Sequence, residues 1–313
     1  MGLLNSKKVA FVFPGQGSQE VGMGRDLAEN CPCAWDIFRR ADSVLGPWVS
    51  QLCFHGPEEE LRQTINTQPA LYVTCAAAFE VVKERGLYPA FAAGHSVGEY
   101  AALYAAGAFH FEEGLRLVRT RAELMQKAAL VNPGTMAAIL GLTPEQVGEA
   151  LAKAQSAGII VAANFNSPIQ TVISGEPAAV DRACEIAQEM GARRVVPLNV
   201  SGAFHSPLMR PAAEALSNVL GKAEIHDPAV PVAANCTARF ERTASDIRIN
   251  LADQITGSVR WVESVLRMIA AGAEAFVEIG PGNVLAGLIK RIAADAEAYS
   301  AGDKASVDAV TSS

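Results

Sequence analysis

Ser96 lies at the centre of Gly94-His95-Ser96-Val97-Gly98, which fits G-x-S-x-G, the pattern of a nucleophile elbow. The residue types suit the chemistry. A sharp strand-to-helix turn brings backbone segments so close that glycine is needed on either side. The turn lifts the serine hydroxyl to a helix N-terminus, where backbone N–H groups and the helix dipole face an oxyanion. Small apolar residues precede the motif and an Ala-rich stretch runs on to Phe109. A Gly-Ser loop that merely caps a helix is the competing reading of the pentapeptide. The strand–turn–helix setting favours the elbow.

A serine hydroxyl needs a base within hydrogen-bond reach. His55 precedes Gly56-Pro57 and His226 adjoins Asp227-Pro228, both turns by composition. His110, between two phenylalanines, reads as packed. His95 must follow the strand direction, away from the hydroxyl. His205 remains: it sits on a loop with small neighbours, downstream of the serine. The only aspartate between Ser96 and His205 is Asp181, inside an amphipathic helix. A Ser–Asp–His relay therefore does not fit, and an amide or carbonyl is expected to orient the imidazole. A less basic histidine leans towards acyl transfer and away from general hydrolysis.

The elements that must position these groups read as α/β. The chain has 313 residues, half of them apolar, enough for one large domain and a smaller one. Charged residues make up 19%, so the chain is globular. The net charge of −7 argues against nucleic acid as the main partner. The six cysteines (31, 33, 53, 75, 184 and 236) have no metal-type spacing and read as free thiols in a reducing compartment. No signal peptide and no membrane-spanning run is read, so no membrane partner is expected.

KVAFVF (8–13) reads as a buried strand, followed by the loop PGQGSQ (14–19). That loop is neither a dinucleotide fingerprint nor a P-loop. It lies where open α/β sheets bind ligands, and it can bring a Gln side chain or a backbone N–H over Ser96. Helices are expected over 34–45, 69–85 (Pro69 in the first turn, Gly86 as the stop) and 111–130, with Arg116 and Arg119 on a solvated face. Residues 134–198 read as βαββαβ, a ferredoxin-like unit, with Thr143 and Pro144 starting its first helix. It reads as an insertion (132–198) that splits a large domain into 1–131 and 199–313. VPVAAN (230–235) and EAFVEI (274–279) read as strands, the second being the last. Helices are expected around Leu251 and Val262 and over VLAGLIKRI. From Ala301 on, a frayed tail is expected.

The set PGQGSQ, GHSVGEYAAL (94–103), RTRAELMQ (119–126), NFNSP (164–168), GAFHSPLM (202–209) and EIGPGNVL (278–285) resembles the malonyl-CoA:acyl carrier protein transacylase family, in the family's order and to about Ile292. The likeness is to the stand-alone bacterial or plastid form. It implies an α/β-hydrolase-like core with a parallel sheet and a ferredoxin-like insertion. Ser96 would take malonyl as an ester, with His205 as base and then acid. Gln16 and Val97 would supply oxyanion N–H groups, and the Gln254 carbonyl would orient His205. Arg121 would hold the malonate carboxylate, Asn164 would line the site, and Phe204 beside His205 resembles the malonyl-selecting form. The pairs Arg193-Arg194 and Lys290-Arg291 match basic pairs used for carrier-protein docking.

The resemblance implies a CoA thioester substrate, holo acyl carrier protein as partner, no metal and no bound cofactor. It also implies a monomer of the cytoplasm, or of the plastid stroma in a eukaryote, serving fatty acid or polyketide synthesis. A serine hydrolase or thioesterase on the same elbow, and a non-catalytic docking subunit, are the alternatives.

Overall fold

The computed structural model describes Leu4 and residues 6–312. Residues 1–3 and 5, part of the start read above as leaderless, lie outside the described residues, as does Ser313 of the tail. Ten strands occur among the described residues. They are β1 (Val9–Phe13), β2 (Phe91–Gly94), β3 (Thr135–Leu140), β4 (Ile160–Ser167) and β5 (Gln170–Gly175). β6 (Arg194–Pro197), β7 (Val232–Ala233), β8 (Phe240–Glu241), β9 (Ala275–Ile279) and β10 (Glu297–Ala301) follow. One sheet has the order β10-β9-β1-β2-β7-β8 and the other β4-β5-β3-β6. The first is parallel except for β7–β8, and the second is antiparallel throughout.

The central strand explains the large sheet. VAFVF is buried at every position, as a strand covered on both faces must be. Val9, Phe11 and Phe13 join a core with Phe38 and Phe79, while Ala10 and Val12 join another with Trp261 and Leu288. The alternation places helices on both faces. In the small sheet, Ala137, Ile139 and Ile173 pack under the helices Pro144–Ala154 and Pro177–Glu189. Met136, Ala138 and Val172 face the other way and join the main core. A capping box of Thr143 and Gln146 starts the helix Pro144–Ala154, as its sequence implies.

Several expectations are corrected. The helix carrying Pro69 starts earlier and runs Thr64–Glu84, with Pro69 inside it. Proline lacks the N–H that would reach the carbonyl four residues back. Arg119 Nη1 donates to that carbonyl, Ile65 O, at 3.2 Å, which makes the interior proline tolerable. Arg119 is thus a packing residue, whereas Arg116 stays exposed. Three short helices, Arg25–Asn30, Trp48–His55 and Glu58–Leu61, were not legible. The strand expected over 230–235 shrinks to Val232–Ala233, and His110 is exposed at a helix start instead of packed.

The tail is ordered up to the last described residue. β10 pairs with β9, so β9 is not the last strand, and the helix Lys304–Ser312 follows. Val307 and Val310, one turn apart, are buried, and Arg85 pairs with Asp308 at 2.7 Å. All six cysteines are unpaired. Among the described residues no helix is long and apolar enough to cross a membrane, and no group of three or more metal-ligating side chains is found.

Candidate active site

The elbow forms where β2 ends and the helix Gly98–Ala105 begins. A Cβ on Gly94 would overlap the Gly98 carbonyl, and one on Gly98 would overlap the Phe13 carbonyl oxygen at the end of β1. Ser96 itself is left-handed, at φ 52°. Among the described residues only three non-glycines have positive φ, and two of them are Ser96 and His205, at φ 56°. Such conformations persist where the surroundings over-determine them. Asn235, just past β7, does so here. Its Oδ1 accepts the Ser96 N–H and its Nδ2 donates to Gly94 O, both at 2.6 Å, so one side chain clasps both arms of the turn.

Ser96 Oγ and His205 Nε2 are 2.8 Å apart. His205 Nδ1 lies 2.9 Å from the Gln254 carbonyl and 3.2 Å from that of Gly257. Two carbonyl acceptors require the proton on Nδ1, which leaves Nε2 free to accept from the serine hydroxyl. Among the described residues no carboxylate pairs with the imidazole, in line with the missing aspartate. Burial pushes the His205 pKa down to about 3, Arg121's charge adds to this, and the two carbonyls oppose it. His95 points elsewhere, as the strand direction demands: its Nε2 pairs with Asn166 Oδ1 at 2.8 Å.

Arg121, on the helix Phe111–Val131, is 1% exposed. Nη1 donates to Gln68 Oε1 at 2.6 Å. Nη2 donates to Gln254 Oε1 at 2.9 Å and to Ser96 Oγ at 3.1 Å. All three acceptors are neutral, and Nε has no partner among the described residues. Among the described residues no carboxylate pairs with it directly and the Glu99 charge bears on it only from further off, so a buried cation of this kind gains from an anion that comes to it. A guanidinium so placed, with Nη2 3.1 Å from Ser96 Oγ, can receive an anionic group in the space above Ser96.

That space is a cavity of about 90 Å³, which suits a short acyl group. Gln16, Val97, Asn164 and Phe204 line it together with Ser96, Arg121 and His205. Gln16 lines the cavity while its side-chain Nε2 donates to Thr64 Oγ1 at 3.2 Å. Among the described residues neither Gln16 nor Val97 has an acceptor for its backbone N–H. Gln254 is fully buried behind the cavity.

The basic pairs are not part of this cluster. Arg193, Arg194, Lys290 and Arg291 are all exposed. Arg194 is in register with Leu140, Leu140 with Gln170, and Arg291 Nη1 donates to Gln170 Oε1 at 3.4 Å. Arg194 and Arg291 thus flank one end of the small sheet.

Sequence reasoning missed Gln68, Asn235 and Gly257, and also Glu99, whose Oε2 accepts from Gln254 Nε2 at 2.7 Å. Asn235 had a findable signal, a polar residue at the C-terminal end of an apolar strand run. Glu99 had another, a carboxylate within the apolar elbow helix. Gln68 and Gly257 had none.

Fold and site together define an acyltransferase. The family model described as the acyl transferase domain matches residues 10–306, and the chain belongs to that family. The match extends past Ile292 and includes β10. The malonyl CoA-acyl carrier protein transacylase of Bacillus subtilis is 48% identical over 286 residues, 91% of this chain and 90% of that protein. The Haemophilus influenzae protein of the same name is 44% identical over 306 residues, 97% and 98% of the two chains. Among solved structures, an acyl-carrier-protein S-malonyltransferase from Burkholderia pseudomallei superposes with a TM-score of 0.95 at 42% identity, covering 98% of this chain and all of that one. A malonyl-transacylase in complex with a type II polyketide synthase acyl-carrier protein gives 0.95 at 42%, covering 97% and 99%.

Proposed function

We infer that this chain transfers malonyl from malonyl-CoA to the phosphopantetheine thiol of holo acyl carrier protein, through an ester on Ser96. One observation carries the reading: a buried, unpaired Arg121 sits 3.1 Å from Ser96 Oγ over a small cavity. Malonyl differs from acetyl by the carboxylate that such a guanidinium would receive.

The steps follow from the geometry. Ser96 Oγ attacks the thioester carbonyl as His205 Nε2 takes its proton. The oxyanion forms against the Gln16 and Val97 N–H groups. His205 then gives the proton to the CoA sulfur, and the C–S bond breaks. The carrier-protein thiol repeats the sequence in reverse, losing its proton to His205 and releasing Ser96. A malonate carboxylate on Arg121 also relieves the repulsion that this guanidinium exerts on the imidazolium. The thioester already carries the activated acyl group, so the proposed steps need neither a metal nor a redox cofactor. A hydrolase is less well supported, because the imidazole has carbonyls in place of a carboxylate to stabilise its charge.

The finer fold reading belongs to the same proposal. The four-stranded order β4-β5-β3-β6 in a βαββαβ segment supports a ferredoxin-like subdomain over 132–198. The parallel sheet with the elbow after β2 supports an α/β-hydrolase-like core from 1–131 and 199–313. Asn164 and Phe204 are assigned to the acyl cavity, and Arg193, Arg194, Lys290 and Arg291 to carrier-protein docking. A monomer in the cytoplasm or plastid stroma, with no nucleic-acid or membrane partner, completes the proposal.

The test is an intact-mass measurement after mixing with malonyl-CoA alone. A single malonyl adduct that maps to Ser96 and is missing from Ser96→Ala is expected. An adduct that persists on the alanine variant, or none on the wild type, overturns the reading.

A further inference from the structure

Two residues that hold the reacting groups, Gln254 and Asn235, lead back to one carboxylate. Glu99 lies in the first turn of the elbow helix and is fully buried. Its Oε2 accepts from Gln254 Nε2 at 2.7 Å and from the Asn235 backbone N–H at 3.0 Å. Gln254 uses its other amide hydrogen on Ser96 O at 3.0 Å, so its Oε1 must face Arg121 Nη2. Asn235 in turn clasps Gly94 and Ser96. We propose that Glu99 is the positioning residue of malonyl transfer: through Gln254 it aims the Arg121 fork at Ser96, and through Asn235 it steadies the elbow.

The physical reason is hydrogen-bond polarity. An acceptor at this spot admits only the amide orientation of Gln254 that offers oxygen to Arg121. Were the amide reversed, N–H would meet N–H and the guanidinium would swing off Ser96. A buried donor stripped of its acceptor is strongly unfavourable, and removing Glu99 strips two. Burial pushes the Glu99 carboxyl up to about 7, against Gln254, Asn235 and Arg121, which hold it down. Glu241, Tyr100 and Cys236 are the other titratable groups that feel its charge. The neutral carboxyl still presents an acceptor oxygen, so the role lies in the two hydrogen bonds and not in the charge.

The proposal rests on Arg121 as the carboxylate receptor, and the test separates the two. Glu99→Ala, Glu99→Gln and Glu99→Asp are assayed for acylation by malonyl-CoA and acetyl-CoA, with Arg121→Ala in parallel and folding checked by thermal melting. Glu99→Ala should lower kcat/KM for malonyl-CoA by about 30-fold or more and shrink the malonyl preference by about 5- to 10-fold. Glu99→Gln keeps the acceptor and should stay within about 3-fold of wild type. Glu99→Asp keeps the charge but withdraws the oxygen by one methylene, and should fall with alanine. Equal losses on both thioesters in Glu99→Ala, or Asp outperforming Gln, overturn the proposal. If the alanine variant does not fold, the Gln–Asp order and the preference measured in Asp decide it. An unchanged preference in Arg121→Ala would instead remove the carboxylate reading. Preference lost there and kept in both Glu99→Ala and Glu99→Asp would remove only the role of Glu99.

Discussion

His205 Nδ1 donates to the Gln254 backbone carbonyl at 2.9 Å, while the Gln254 side chain accepts from Arg121 at 2.9 Å. One residue thus holds the imidazole through its main chain and the Arg121 guanidinium through its side chain. His205→Ala should lower acyl transfer by about 10³-fold or more, the range for removing a catalytic base. Gln254→Ala keeps the carbonyl and should cost about 10- to 100-fold, chiefly as lost malonyl preference through Arg121. Steady-state rates with malonyl-CoA and acetyl-CoA check both. Equal losses in the two variants would mean that the carbonyl alone does not orient the base.

Sign matters for the pH dependence of His205. Its pKa is pushed down to about 3 in the folded chain, by burial first and by Arg121 second, against about 6.5 when unfolded. Between these values the unfolded chain binds more protons. The contribution of this group to stability is therefore complete above about pH 6.5 and is lost as pH falls towards 3. Acylation kcat/KM reports the free enzyme. It should stay level from about pH 8 to about pH 5, with no acid limb near 6.5. A limb there that follows His205 would show an imidazole open to water.

Asn235→Ala should untie Gly94 O and Ser96 N together. Two buried groups would lose partners, for a loss of about 2–4 kcal/mol in stability. Acylation by both thioesters should fall by a similar factor, since the elbow serves either substrate. Urea unfolding and acylation rates read the two effects. A stable variant with wild-type rates would show that the turn holds itself.

How much of this was legible turns on chain separation. Ser96 and His205 announced themselves through residue type and local pattern, and Arg121 only through the family resemblance. The partners of those residues did not. Gln68 meets Arg121 across 53 residues and Asn235 meets Ser96 across 139, and a buried amide carries no periodicity. The βαββαβ order was readable because its strands and helices change period cleanly. The tail was not, since Ala298, Ala301, Val307 and Val310 look sparse until β9 and the helix Thr64–Glu84 offer them a surface. Pro69 misled for a related reason: the donor that replaces its missing hydrogen bond comes from Arg119, 54 residues from the carbonyl it serves.

Carrier-protein docking should be read at Arg194 and Arg291, which flank one end of the small sheet. The chain is acidic overall, at −7, so a basic face for an acidic partner has to be local. Arg194→Glu with Arg291→Glu should raise KM for the carrier protein by about 5-fold or more and leave that for malonyl-CoA nearly unchanged. Wild-type KM for the carrier protein should also rise with salt. A salt-independent value would remove this face from docking.

Arg121, as the proposed carboxylate receptor, is the residue that would separate malonyl transfer from serine acyl transfer in general. Its guanidinium is buried, its three acceptors are neutral, and it touches the nucleophile. With malonate bound, the carboxylate completes a charge pair and brings the thioester carbonyl over Ser96. With acetyl, a methyl group faces an unpaired cation, so discrimination comes from attraction and penalty together. Arg121→Ala should therefore cost about 2–5 kcal/mol in kcat/KM for malonyl-CoA, the range for removing one member of a buried charge pair. Acetyl-CoA should lose far less, or gain, so the preference collapses or inverts. Lysine should rescue only in part, because a compact ammonium lacks the planar fork that meets a carboxylate bidentately. Measuring both thioesters on both variants decides the matter: a malonyl preference that survives Arg121→Ala would place carboxylate recognition elsewhere in the cavity.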